Sequence, residues 1–277
     1  MHADTSSLKD QIVVVTGGGR GIGRAICLAI AELGATVVPV ARTLEEIEST
    51  QALILEREGQ ALAIQADITD ESAVEAMATR VVREFGRVDV LINNAGSCYA
   101  LGPVAELEPA AWWKDVSINL LGTFLPCHFL LPTMIEAQRG KIITMLGGGA
   151  GNPFPYGTGY ASSKAAVVRF TDCLAAEVRE HGIAVICMSP GFVRTRMTEY
   201  TVFSEAGKRY QPAMQGSFNG DKEYPPDHAA ALAADLCRLD LMPLSGRYVQ
   251  PGDDVQALLA QADEIVSADR RSLRLIP

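Results

Sequence analysis

Short β-branched runs alternate along this chain with longer stretches whose apolar residues recur every three or four positions. The runs at 12–15, 37–40, 61–65, 88–92, 141–146, 183–188 and 247–249 predict about seven strands. They are apolar throughout rather than alternately polar, as expected of strands covered on both faces. Between them, 24–33, 44–58, 72–85, 112–137 and 160–181 predict helices. The stretch 112–137 reads as one long helix, with a bend expected at Pro126 or Pro132. Strand and helix in regular alternation predict right-handed βαβ units and an α/β, doubly wound parallel sheet with helices on both faces. Ligands on such sheets sit beyond the carboxyl ends of the strands.

Composition narrows the functional classes. The 277 residues suit one α/β domain, and no repeat or domain boundary interrupts residues 1–252. A net charge of −9 without a basic stripe argues against nucleic acid as the main partner. No apolar run reaches the ~20 residues that span a bilayer, so no membrane partner is expected. The opening Met1-His2-Ala3-Asp4-Thr5-Ser6-Ser7 has no apolar core of a signal peptide, which makes the cytoplasm the expected location. Six scattered cysteines and four histidines form no ligand cluster, so neither a metal nor a disulfide framework is expected.

Two motifs carry chemistry. After the first strand comes Thr16-Gly17-Gly18-Gly19-Arg20-Gly21-Ile22-Gly23, followed at once by a helix. Strand, glycine turn and helix together make a phosphate cradle: glycines admit the pyrophosphate to the backbone, and the helix N-terminus offers free N–H groups. Farther along, Tyr160 and Lys164 stand four residues apart, one turn apart on a helix face. An ammonium beside a phenol favours the phenolate, so the Tyr160 pKa is expected to fall from about 10 toward neutrality. Such a phenol exchanges protons at a carbonyl or alcohol oxygen.

With these motifs in order, residues 8–252 resemble the short-chain dehydrogenase/reductase family, which implies a single-domain Rossmann-like fold. Thr16 to Gly23 matches that family's TGxxxGxG loop, and the resemblance implies cofactor contacts from Gly17, Gly19, Arg20, Gly21, Ile22 and Gly23. Asp67-Ile68 matches the pair that contacts the adenine, although Asp67 could instead cap a helix. Asn93-Asn94-Ala95-Gly96 matches the NNAG floor of the cofactor site. Asn119 matches the asparagine that holds a water near the active lysine, with a satisfied structural amide as the alternative. Pro190-Gly191-Phe192-Val193-Arg194-Thr195 matches the turn that contacts the nicotinamide carboxamide. The family implies Tyr160 as general acid or base and Lys164 as its partner, also bound to the nicotinamide ribose. The implied activity is NAD(P)-dependent interconversion of a carbonyl and a secondary alcohol.

The second strand ends Val40-Ala41-Arg42-Thr43, with Ala where an acid would hold a ribose 2′-hydroxyl. Arg42 and Arg20 suit a 2′-phosphate, so NADP is the expected cofactor and NAD the alternative. Arg42 stacked on the adenine or facing solvent is the competing reading. One departure from the family pattern stands out. Counting back 13 residues from Tyr160, where a substrate-binding serine is usual, reaches Gly147, or Gly148 with a shift of one. Three explanations stay open: a backbone N–H, a water or a hydroxyl of Thr158 or Tyr156 replaces the serine; the substrate compensates; or the chain is a catalytically impaired dinucleotide-binding or regulatory protein.

Substrate selectivity is expected from 196–226, a lid-like segment with Tyr200, Phe203, Tyr210, Phe218 and Tyr224 among Gly207, Gly216 and Gly220. Its aromatics suit a moderately apolar alcohol or ketone, or simply pack the lid. Residues 253–277 form an extension with an amphipathic helix at 255–266, packed on the same domain or on a neighbouring subunit. The resemblance further implies a homodimer or homotetramer formed through the helices that carry Asn119 and Tyr160.

Overall fold

The computed structural model describes residues 7–218 and 224–275. The expectations for 1–6, Gly220 and 276–277 lie outside the described residues. Strand β1 (Ile12–Thr16) leads through the glycine turn into helix α1 (Gly21–Glu32), and β2 (Thr36–Ala41) into α2 (Leu44–Glu56). The chain continues through β3 (Gln60–Ala61), β4 (Ile64–Gln65), α3 (Glu71–Phe85) and β5 (Val90–Asn93). Then come α4 (Pro109–Val116), α5 (Gly122–Ala137), β6 (Gly140–Met145), α6 (Thr158–Val178) and β7 (Ile183–Met188). The last third holds α7 (Arg196–Phe203), α8 (Glu205–Tyr210), α9 (Pro226–Arg238), β8 (Tyr248–Val249), α10 (Val255–Ala260) and α11 (Ala262–Ser267).

The sheet is parallel throughout, in the order β3-β2-β1-β5-β6-β7-β8, with β4 also paired to β2. Strands β1, β5 and β7 are buried along their full length, as their unbroken apolar runs require. One core fills the face under α1 and α9, with Val13, Val15, Ile26, Ile30 and Leu236. A second fills the opposite face, with Val14, Leu91, Val81, Leu130 and Ile142. Strand order reverses between β1 and β5, paired at Val13↔Val90 and Val15↔Ile92. That reversal opens a crevice at their carboxyl ends.

Four expectations need correction. The third strand is two short ones, because Ala63 turns its N–H to Gln51 Oε1 (2.5 Å) between them. The long helix is broken not at a proline but at Ser117–Leu121, one wide π turn centred on Asn119; Pro126 and Pro132 both sit inside α5. The C-terminal helix is two short ones divided at Gln261. A fourth correction concerns hydropathy. The helical stretch Pro109–Ala137 is long and apolar enough, with a mean hydropathy of 1.5, to cross a membrane by length and composition. In this fold it packs against α3, α6 and the sheet, with Leu125, Leu130 and Met134 buried.

The described extension docks on its own chain. Tyr248 N–H on the edge strand β8 donates to Arg271 O (3.0 Å), and Arg271 forks onto Asp253 (2.5 and 2.9 Å). Arg274 bridges Asp269 and Asp172, while Leu273 packs with Ala150, Val168, Cys187, Leu146 and Tyr248. The guanidiniums of Arg274 and then Arg247 hold the Asp269 carboxyl below the usual carboxylate range. Removing residues 269–277 uncovers that apolar cluster and the sheet edge. Loss of Leu273 burial alone corresponds to about 1–2 kcal/mol, so thermal unfolding should shift down by roughly 2 °C or more; an unchanged Tm would contradict this docking.

Candidate active site

The crevice at the strand reversal is built from two loops that lock together. Asn94 Nδ2 donates to Thr16 O (2.9 Å) and Ala95 N–H to Thr16 Oγ1 (3.1 Å), joining the β5 exit to the β1 exit. The glycine turn then closes on itself: a Cβ on Gly23 would stand 2.1 Å from Gly17 O. No side chain is tolerated there. Helix α1 begins with Arg20 in an extended conformation and no side-chain cap, so its first N–H groups lack a side-chain acceptor at the cleft. That uncapped end fits a phosphate group. Gly17, Gly19, Arg20, Gly21, Ile22 and Gly23 all line the cleft.

The remaining predicted residues divide between the wall and the support behind it. Arg42, Asp67, Ile68, Asn94, Ala95, Gly96, Tyr160, Lys164, Pro190 and Thr195 line the same cleft. Asp67 accepts from Thr69 N–H (2.9 Å) and Thr69 Oγ1 (2.7 Å) and lies 3.6 Å from Arg42; the cap of α3 is Asp70 instead. Thr195 caps α7 in a reciprocal pair with Thr198. Gly191 and Val193 are not cleft-lining: Gly191 lies against Tyr224 and Pro251, and Val193 is buried in a bridge to Tyr224.

Asn119 is fully buried behind the wall. Its Oδ1 accepts from Ser97 N–H (2.8 Å), and its Nδ2 donates to Ser97 O (2.8 Å) and Ser163 Oγ (2.9 Å). Both ends of the amide are therefore engaged. Next to it, Asp115 is buried and accepts from Ser97 Oγ and from Tyr99 N–H and Ala100 N–H (both 2.8 Å). It fixes the turn that carries Ser97 and Tyr99 into the cleft, a role that sequence spacing did not reveal.

Tyr160 and Lys164 share a helix face as expected, with Lys164 Nζ 5.9 Å from the Tyr160 ring centre. The expected fall in the phenol pKa is not what this environment produces. Burial pushes Tyr160 well above its ordinary value, and burial also pushes Lys164 down to about 8. Desolvation is the leading cause of both shifts, and Lys164 donates to Met145 O (3.0 Å) instead of to the phenol. The Tyr160 hydroxyl is pressed against Gly147: a Cβ on Gly147 would lie 2.2 Å from it. Gly148 is different, with open space around the same position. Of the two hydroxyls offered as substitutes, Thr158 accepts from Trp112 Nε1 (3.1 Å) and the exposed Tyr156 pairs with Tyr210 (5.1 Å).

The lid folds onto this site. Tyr200 meets Tyr99 (4.8 Å), Phe218 meets Phe192 (5.1 Å), and Gln211 Nε2 donates to Pro155 O (2.6 Å). Cleft residues that the motifs did not announce include Glu46, Ser97, Tyr99, Ile118, Leu146 and Arg196.

A family model described as short chain dehydrogenase matches residues 11–205. A short chain dehydrogenase of Pseudocercospora fijiensis is 32% identical over 265 residues, covering 93% of this chain and 85% of its own length. An NAD+-bound xylitol dehydrogenase structure has a TM-score of 0.78 at 26% identity, covering 87% of this chain and 97% of that one. A metagenomic short-chain oxidoreductase in complex with NADP has a TM-score of 0.72 at 30% identity, covering 90% of this chain and 100% of that one.

Two outcomes follow from the packing and the buried charge. Gly147→Ala must displace the Tyr160 phenol, at a cost of about 1–3 kcal/mol in urea unfolding, whereas Gly148→Ala should be nearly neutral; equal effects would contradict the contact. For Lys164, the native state binds fewer protons than the unfolded chain between about 8 and 10.5, so this group makes stability rise with pH across that window. The stability difference between wild type and Lys164→Met should therefore move in favour of wild type from pH 8 to pH 10. A pH-independent difference would sink it.

Proposed function

The chain belongs to the short-chain dehydrogenase family of oxidoreductases, and on that footing we propose that it interconverts a carbonyl and a secondary alcohol, with NADP(H) preferred over NAD(H). The observation that carries this reading is the shared cleft: Tyr160 and Lys164 open into the same crevice as the uncapped, glycine-lined start of α1. The cleft residues fit a nicotinamide dinucleotide: Gly19 to Gly23 would hold its phosphates, Asp67 and Ile68 its adenine, and Pro190 and Thr195 its carboxamide. When bound, it supplies the hydride.

The protein's own work is proton handling and orientation. Tyr160 donates a proton to the carbonyl oxygen in reduction and takes one from the alcohol in oxidation. Its raised pKa keeps the phenol protonated, which suits the reductive role. Lys164 supplies positive charge beside the phenol and would hold the ribose of the bound cofactor. Asn119 holds Ser97 and Ser163 together, so the strand exit and the catalytic helix keep one spacing.

The missing serine is explained by the space its side chain would take. The Tyr160 hydroxyl lies where a residue-147 side chain would begin, and the exposed backbone at Gly148 leaves room for substrate to approach. We assign the serine's hydrogen bond to a backbone N–H of this glycine run, as in oxyanion sites built from main chain. The substrate is a moderately apolar alcohol or ketone held under Tyr99 and Tyr200. A homodimer or homotetramer through α5 and α6 is supported by exposed Leu121 and Phe124, the latter edge-on to Phe170 (6.4 Å).

The test is a panel of ketones and secondary alcohols with each cofactor. Turnover should occur, with higher kcat/KM for NADPH than for NADH. Tyr160→Phe should lower kcat by about 10²–10⁴ while cofactor binding persists. Cofactor binding without turnover on any panel member, and no effect of Tyr160→Phe, would instead support the catalytically impaired reading.

A further inference from the structure

A carboxylate already stands among the cations proposed to receive the cofactor's extra phosphate. Glu46, in the first turn of α2, lines the cleft, and its Oε1 lies 3.0 Å from Arg20 Nη1 and 3.7 Å from Arg196 Nη1. Arg20 leads into α1 and Arg196 opens α7, so one acid joins two elements far apart in sequence. Arg42 lies in the same cleft, paired to Asp67.

Glu46 cannot easily leave. A Cβ on Gly19 would come within 2.8 Å of Glu46 Cβ, so the glycine turn is packed directly on this residue. Its carbonyl accepts from Arg24 Nη2 (3.3 Å) and Thr50 Oγ1 (3.1 Å). Only the carboxylate arm is free to rotate, and two guanidiniums hold it.

We infer that Glu46 is a built-in competitor for the 2′-phosphate and sets the discrimination between NADP and NAD. This rests on the cofactor reading above. A phosphate monoester carries about −1.5 to −2 charges and seeks the same guanidinium forks. To enter, it must draw Arg20 and Arg196 away from Glu46 and sit near an acid that repels it. A ribose 2′-hydroxyl meets no such repulsion and leaves the Arg20–Glu46–Arg196 cluster intact. The arginines thus favour the phosphorylated cofactor, Glu46 opposes it, and the preference is their balance. Arg196 belongs to this cofactor edge rather than to the substrate lid in which its sequence position placed it.

The experiment compares kcat/KM for NADP+ over NAD+ in wild type, Glu46→Gln and Arg196→Gln, together with calorimetric binding of adenosine 2′-monophosphate and adenosine 5′-monophosphate. Glu46→Gln should raise the kcat/KM ratio about 3–10-fold and tighten adenosine 2′-monophosphate alone, with the gain shrinking at high salt. Arg196→Gln should lower the ratio. Failure of the ratio to rise in Glu46→Gln, or to fall in Arg196→Gln, overturns the inference. If the protein turns over neither cofactor, selective tightening of adenosine 2′-monophosphate by Glu46→Gln supports the inference and its absence overturns it. A wild type that prefers NAD overturns the NADP reading but not this one, because the inference is read from the change between variants.

Discussion

The geometry of the cleft depends on one buried amide. Asn119 grips Ser97 through both its N–H and its carbonyl, and reaches Ser163 on α6 with the same side chain. An unmet hydrogen bond at so buried a position costs about 1–3 kcal/mol, so these three partners constrain one another. Ser97 ends the floor loop that begins at Asn94, and Ser163 precedes Lys164. The distance between floor and helix is therefore set from behind rather than by the residues that face the cleft. The π turn at Ser117–Leu121 carries this amide between two helices that serve different neighbours: α4 packs on α6, and α5 on α3.

Around that junction the site works against desolvation. A phenol and an amine placed together in low dielectric are each driven toward the neutral form, and proximity alone does not reverse this. Lys164 spends a hydrogen bond on Met145 O, which anchors the amine to the end of β6. Tyr160 meanwhile fills the hollow that Gly147 leaves. Glycine at 147 is thus a packing requirement of this particular phenol position, and the same small residue brings main chain close to the phenol oxygen.

Much of the fold was legible because its strands are buried on both faces and so read as unbroken apolar runs. Where apolar character continued but geometry did not, legibility failed. Ala61 to Gln65 conceals a break made by Gln51, and nothing in Ser117 to Leu121 announces a wide turn, while Pro126 and Pro132 falsely did. The lining of the cleft was readable wherever residues follow one another on a single loop, as in the glycine turn and Asn94 to Gly96. Glu46, Asp115 and Arg196 were not readable, since each acts on a segment brought close only by folding. Their residue types are common on any helix, and only the approach of α2 to α7 or of α4 to the floor loop gives them meaning. The pKa expectation failed for the same reason: spacing reports that two groups are neighbours, not how much water they keep.

The last described residues are fastened in two physically different ways. Arg274, Arg271 and Arg247 hold carboxylates at or near the surface, whereas Leu273 is wedged among Ala150, Val168 and Leu146. Dissolved ions act oppositely on these fastenings. Simple electrolyte screens the exposed pairs, and sulfate, excluded from apolar surface, tightens the wedge. The grip on the loop leading to Gly147 therefore depends on which salt is present as well as on how much.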